Sequence, residues 1–238
     1  TGNYTVSKAT LGGSIASGSS VYGAALVPGT ATLTTGIVST DVVTAGTVSV
    51  TTSGNTSTSG NLNAGSYTNK QTLTLSGADA GNYSFGGTVG DYTVTTLSLA
   101  GVLGAGSSVY GSSLVPGAVT FSNKVSGDIV TAATPTINTT GNTSTSGNLK
   151  AGTYTGIQSV SGTLSGADAA NYTFAGTTGN YTVSKATLGG NITSGTSVYG
   201  AALSPGSATI TTGILSSGTG TDVVTAGTVS VTTTGNTS

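Results

Sequence analysis

Cysteine, histidine, methionine, tryptophan, glutamate and arginine are all missing from this 238-residue sequence. Each absence excludes a class of chemistry. General acid–base catalysis near neutral pH usually relies on histidine or a tuned carboxylate. Transition-metal sites need cysteine, histidine or clustered carboxylates. A disulfide framework needs cysteine, and oxidation of sulfur has no target here. Charge is confined to Lys8, Lys70, Lys124, Lys150 and Lys185 against Asp41, Asp79, Asp91, Asp128, Asp168 and Asp222. Five scattered lysines make no basic patch for phosphate or nucleic acid. A formal net charge of −1 gives little attraction to anionic membranes. No apolar run reaches the roughly 18 residues of a membrane-spanning helix, and no signal peptide is visible. The composition therefore points to a protein that is not an enzyme, with no catalytic residue, metal or cofactor, no nucleic-acid partner and no insertion into a membrane.

What is present is glycine, at 40 positions, with threonine and serine almost everywhere else. Disordered chains combine low hydrophobicity with high net charge, and this chain does not. Its apolar residues alternate in short runs rich in Thr, Val and Tyr, as in "YTVSKATL" (4–11), "ATLTTGIV" (31–38), "VVTAGTVSV" (42–50), "QTLTLS" (71–76) and "NYSF" (82–85). Gly, Asn and Ser clusters separate them. Period-2 parity places Leu33, Val48, Val50, Leu73, Leu75, Tyr83 and Phe85 in a core, with Ile137, Leu164, Tyr172 and Phe174 as counterparts. Pro135 stands where the first copy has Val48, so that strand is expected at an edge or bulged.

The runs repeat with a period of 88 to 89 residues. "SVYGAALVPG" (20–29), "SVYGSSLVPG" (108–117) and "SVYGAALSPG" (197–206) mark one position. Asp41, Asp128 and Asp222 mark the next, each followed 13 residues later by Gly-Asn-Thr-Ser. The third copy carries an extra "SGTG" (217–220), expected to be a surface loop. The first and third copies resemble each other more than either resembles the second. The chain opens inside a repeated motif and so reads as a window on a longer array. About seven strands in 88 residues, all-β with turns at regular spacing, suggest an antiparallel immunoglobulin-like β-sandwich. A parallel β-solenoid is the alternative, although its coils repeat at about 20–30 residues.

The densest motif is "LSGADAGNYSF" (75–85), repeated as "LSGADAANYTF" (164–174). A short acidic side chain in a turn accepts backbone N–H bonds, which explains Asp79 and Asp168 without chemistry. Asn82 and Tyr83, with Asn171 and Tyr172, complete the motif. The tyrosine is expected to bond back to the backbone a few residues upstream, as at the corner of immunoglobulin domains. Tyr22, Tyr110 and Tyr199 of the "VYG" element are expected to serve core or corner. Asp41 with Asp79 is the one pair that suggests calcium, and two carboxylates per repeat are thin for that ion.

Taken in order, "SVYGAALVPG", "TDVV", "NAGSYT", "LSGADAGNYSF" and "YTVSKATL" resemble the YDG and MBG families of bacterial immunoglobulin-like tandem repeats, found in large secreted, filamentous-haemagglutinin-like adhesins. By that resemblance "YTVSKA" closes a unit. Residues 1–8 then finish a preceding repeat, 9–97 and 98–186 are whole repeats, and 187–238 begin a third. The resemblance implies a structural stalk on the bacterial cell surface, outside the cell, whose partners are the neighbouring repeats of the same chain. A stiff rod is the corresponding expectation. The competing readings are a self-assembling extracellular fibre, with other copies of the chain as partners, and a module that grips a carbohydrate or another surface ligand.

Overall fold

Residues 1–234 are described by the structure, a computed structural model. The third Gly-Asn-Thr-Ser, at 235–238, lies outside them. The fold is all-β. Two three-residue 3-10 turns, Ala80–Asn82 and Ala169–Asn171, are its only helical elements among the described residues.

In the first repeat, Ala9–Ile15 pairs antiparallel with Ala31–Thr35, with Gly13 opposite Leu33 and Ile15 opposite Ala31. On its other side it pairs in parallel with Tyr83–Phe85, Ala9 facing Tyr83 and Leu11 facing Phe85. It continues in parallel with Thr88–Val89. Gly18–Val21 runs parallel to Tyr92–Thr95, which also takes Gly65–Tyr67 antiparallel. A separate antiparallel ladder joins Thr44–Val50 to Gln71–Ser76, with Val48 opposite Leu73.

Two expectations are corrected here. The sheets are mixed rather than antiparallel throughout. A parallel pair needs a long crossover, and the stretch between the opening and closing strands of a repeat supplies one. There are also nine short strands between residues 9 and 95, not about seven. The opening run breaks at Ala16-Ser17, and the closing run breaks at Gly86-Gly87 and Gly90-Asp91.

Some breaks are fixed by close backbone approach. A Cβ on Gly29 would lie 1.8 Å from the Ala16 carbonyl oxygen, and one on Gly117 would lie 1.9 Å from that of Gly104. No side chain fits at either place, which accounts for the glycine that closes the "VYG" element in both repeats.

Two compact units divide the chain, and they do not follow the sequence repeats. One comprises Thr1–Gly101, Phe121–Ala133 and Ser161–Gly176; the other comprises Val102–Thr120, Thr134–Val160 and Thr177–Ser238. The second sequence repeat is thus shared out. Pro135 sits near one of the cuts. Where the first repeat has the continuous strand Thr44–Val50, the second has Thr131–Ala132 and Thr136–Ile137, separated around the proline. Thr136–Ile137 is an edge strand of its sheet.

In the first unit, one core gathers Tyr22, Leu62, Tyr92 and Val94 from the first sequence repeat with Leu99, Val130 and Tyr172 from the second. A smaller core holds Leu11, Val43 and Tyr83. In the second unit, Gly152–Val160 and Gly106–Val109 flank Thr177–Ser184, over a core of Leu149, Tyr181 and Val183. The inserted 217–220 forms the turn and arms of a hairpin, Ser216–Ser217 against Gly220–Thr221. It is not a free surface loop, because Ser217 Oγ donates to the Ser146 carbonyl at 2.6 Å.

Candidate functional site

The most elaborate polar arrangement joins residues of the first and second sequence repeats inside the first compact unit. Asp128, 4% exposed, is its centre. The hydroxyls of Tyr22 and Tyr172 both donate to Asp128 Oδ2 at 2.5 Å. Their rings meet edge to face with centroids 5.2 Å apart. Asp128 Oδ1 is buried with no hydrogen-bond partner among the described residues. Burial alone would raise the Asp128 pKa. The nearby hydroxyls of Ser59, Tyr172 and Tyr22 outweigh it and hold the carboxyl below its ordinary value. The same contact, after burial, pushes the Tyr22 and Tyr172 phenols above theirs.

Asp168 is the second fastening. Its Oδ2 accepts from Ile129 N at 2.8 Å, within its own repeat. Its other bonds cross to the first repeat: Oδ1 accepts from Thr58 N at 3.0 Å, and the Thr58 hydroxyl donates to Oδ2. Burial again works against the charge, and these bonds outweigh it, leaving the carboxyl below its ordinary value. Asn171 adds a third link. Its Oδ1 accepts from Ala64 N at 2.8 Å, and its amide donates to Asn63 Oδ1 at 3.0 Å. The "LSGADAANY" motif is therefore a clasp, gripping the Thr56–Leu62 bridge region of the preceding repeat. The chain reaches that position through Gly166, whose φ of +114° and whose approach to the Ile129 carbonyl both exclude a side chain.

The first repeat carries the within-repeat part of this arrangement. Asp79 Oδ2 accepts from Val42 N at 2.7 Å, and Tyr83 donates to Asp41 Oδ2 at 2.6 Å. Among the described residues, Asp79 and Asn82 show no counterpart of the bonds that Asp168 and Asn171 make to the loop before them. In the second unit, Tyr110 takes the part of Tyr22. It contacts the Asp222 carboxylate and lies 2.6 Å from Ser144 Oγ, while Ser146 N donates to Asp222 Oδ1 at 3.0 Å. The Tyr110 hydroxyl is the main cause that lowers the Asp222 pKa. Tyr199, the third member, is 91% exposed.

The tyrosine-corner expectation is corrected. Tyr83 and Tyr172 do not bond a few residues upstream. Their hydroxyls accept from Val38 N and Val125 N, more than 40 residues back in the chain. The short-range pattern belongs to other tyrosines. Tyr67 donates to the Asn63 carbonyl and Tyr154 to that of Lys150, each four residues upstream. Nor do Asp79 and Asp168 cap their own turns, since neither makes a side-chain cap bond there.

Sequence reasoning missed Gln71 and Gln158. Gln71 is 2% exposed, accepts from Gly29 N, and donates to the Ala16 and Gly90 carbonyls. Gln158, fully buried, accepts from Gly117 N in the same way. The signal was there: the sequence has two glutamines, one per repeat, at matching positions. Among the described residues, no group of three or more Asp, Glu, His or Cys is placed to hold a metal ion, and no helix is long and apolar enough to cross a membrane. Comparison with protein-family models, curated proteins and solved structures finds no match to this chain.

Proposed function

We propose that this chain is a spacer: tandem immunoglobulin-like β-sandwich repeats of a large bacterial surface protein, acting outside the cell to hold other parts at a distance. The observation that carries the reading is the shared carboxylate. Tyr22 of one repeat and Tyr172 of the next bond the same buried Asp128 oxygen, and the joint around it is a hydrophobic core rather than a linker. A spacer needs joints that resist bending, and a buried, charge-assisted network of this kind is expensive to break from one side. It also needs strands, turns and a polar surface, and no reactive group, which matches the composition. The immunoglobulin-like assignment rests on the resemblance of the motifs.

Amide hydrogen exchange tests the joint. A rigid spacer protects Thr58, Ala64 and Ile129 as strongly as strand amides such as Val94. Exchange of those three at loop rates would mean that the repeats are beads on a flexible string, and the spacer reading would fail.

A further inference from the structure

Oxidation has one kind of target in this sequence. Cysteine, methionine, tryptophan and histidine, the other readily oxidised side chains, are absent, and tyrosine occurs 10 times. An electron removed from a side chain therefore comes from a phenol. Which phenol is decided by the proton. A phenol that has lost an electron is a strong acid, and it is easiest to oxidise where a base already accepts from its hydroxyl.

Asp128 is that base for two phenols at once. Tyr22 and Tyr172 each donate to Asp128 Oδ2 at 2.5 Å, which holds the two phenolic oxygens side by side. Their ring centroids are 5.2 Å apart and their planes cross at 76°. Two phenols joined through the carbons beside their hydroxyls also have twisted rings, because the hydroxyls flank the new bond. The pair is thus close to the geometry of that product. Both side chains are buried, Tyr22 at 1% and Tyr172 at 5% exposed. The Tyr172 hydroxyl is held from another side as well, accepting from Val125 N at 3.1 Å. A radical formed on either ring meets the other ring of the pair before it meets a second chain. Tyr83 on Asp41 and Tyr110 on Asp222 are internal comparisons. Neither has a second tyrosine ring against it among the described residues.

We propose that Tyr22 and Tyr172 form a cross-linking site, which a one-electron oxidant converts to a dityrosine with a bond between the ring carbons next to the two hydroxyls. Each phenol gives one electron to the oxidant and its hydroxyl proton to Asp128, which passes the first proton to solvent before it takes the second. The two phenoxyl radicals pair to form the carbon–carbon bond. The hydrogen on each joined carbon then moves to the oxygen of its own ring, and both phenols are restored. With hydrogen peroxide as the terminal oxidant, two tyrosines and one peroxide give one dityrosine and two waters. The bond ties the first sequence repeat to the second inside the first compact unit. It closes a long loop and so restricts the unfolded chain, as a disulfide does where cysteine is present. The inference goes beyond the spacer reading. It stands on the geometry at Asp128, so either can fail without the other.

The test is oxidation of the dilute folded chain by light, tris(bipyridine)ruthenium(II) and persulfate, followed by trypsin and mass spectrometry. Trypsin cleaves after the five lysines, leaving Tyr22 in 9–70 and Tyr172 in 151–185. The expected product is these two peptides joined, lighter than their sum by two hydrogens and carrying dityrosine fluorescence. Fragmentation is expected to place the bond at Tyr22 and Tyr172, not at Tyr67 or Tyr154 of the same peptides. The linked chain is expected to unfold at a higher temperature than the parent. Tyr22→Phe and Tyr172→Phe keep the rings and are each expected to remove the product, whereas Tyr67→Phe leaves it. Asp128→Asn keeps the shape and is expected to slow coupling at least about tenfold, because the proton acceptor is gone. Amide resonances of the strand Thr177–Ser184 report that each variant is folded. The proposal is overturned if oxidation consumes the exposed Tyr4 and yields no bond between Tyr22 and Tyr172. It is overturned as well if the urea-unfolded chain gives that bond in equal yield, or if Asp128→Asn couples as fast as the parent.

Discussion

Residues 1–13 and 178–190 are the same thirteen amino acids, TGNYTVSKATLGG. In the second stretch, Thr177–Ser184 is a strand and 185–188 is not; in the first, residues 1–8 form no strand and Ala9–Ile15 is one. Tyr4 and Val6 are 92% and 81% exposed, while Tyr181 and Val183 are 0% and 3%. Local sequence is held constant, so the difference lies in what each half meets. Thr177–Ser184 has Gly106–Val109 on one side and Gly152–Val160 on the other. Ala9–Leu11 has Tyr83–Phe85. β-propensity describes how well a side chain suits a half-buried pleated surface, and the surface must be supplied by another segment. In this chain that segment lies tens of residues away or in the neighbouring repeat.

Substitutions at matched positions break the comparison where it is sharpest. Tyr181→Ala should lower unfolding free energy by about 3–5 kcal/mol, the cost of emptying a fully buried aromatic site. Tyr4→Ala should stay within about 0.5 kcal/mol of the parent. Urea melts of the two variants check this, and equal losses would show that residues 1–8 are packed in solution.

The next largest contrast is between aspartates. Asp128→Ala orphans two buried tyrosine hydroxyls and should cost about 2–4 kcal/mol, whereas Asp41→Ala removes one bond at a half-buried site and should cost about 1 kcal/mol. Thermal unfolding of both variants gives the order. A smaller difference separates the two clasps. Asp168→Ala loses the bonds to Thr58 as well as the one to Ile129, so it should be about 1–2 kcal/mol worse than Asp79→Ala, which loses only the bond to Val42. Equal effects would mean that the bonds to Thr58 contribute nothing.

How far this was legible follows from individual residues. The alternation of Tyr83, Ser84 and Phe85 is visible in sequence, and the structure buries the first, exposes the second and half-buries the third. Leu73, Leu75, Val48 and Val50 share a face as their parity requires, yet they are only half-buried. The deepest positions are elsewhere: Tyr22, Tyr92, Tyr181 and Leu11. Parity identifies a face and does not say which face a neighbouring repeat covers. For the same reason, that Asp168 accepts a backbone N–H bond was readable, while its partner Thr58, 110 residues away, was not. The break at Pro135 was readable because a missing N–H acts locally. The parallel pairings were not, because they depend on which distant strand arrives alongside.

Acid should weaken the joint slightly. The carboxyls of Asp128 and Asp168 lie below their ordinary value of 3.8 in the folded chain. Their contribution is therefore present above that value and is lost as pH falls through the folded pKa. The Tyr172 phenol lies above its ordinary value of 10.0, so its contribution is complete below pH 10 and is lost as pH rises beyond it. Unfolding followed from pH 6 to pH 2 should show a smaller acid loss in Asp128→Asn than in the parent; an identical acid limb would place the titration elsewhere.

The central claim is that consecutive repeats share one buried network and are not independent folding units. A double-mutant cycle between Tyr22→Phe, in the first repeat, and Asp128→Asn, in the second, measures that directly. Residues in one hydrogen-bond network typically couple by about 0.5–3 kcal/mol. The account requires a coupling of at least about 1 kcal/mol between these two, read from urea unfolding of the four chains. Additive losses, with no coupling beyond experimental error, would contradict it.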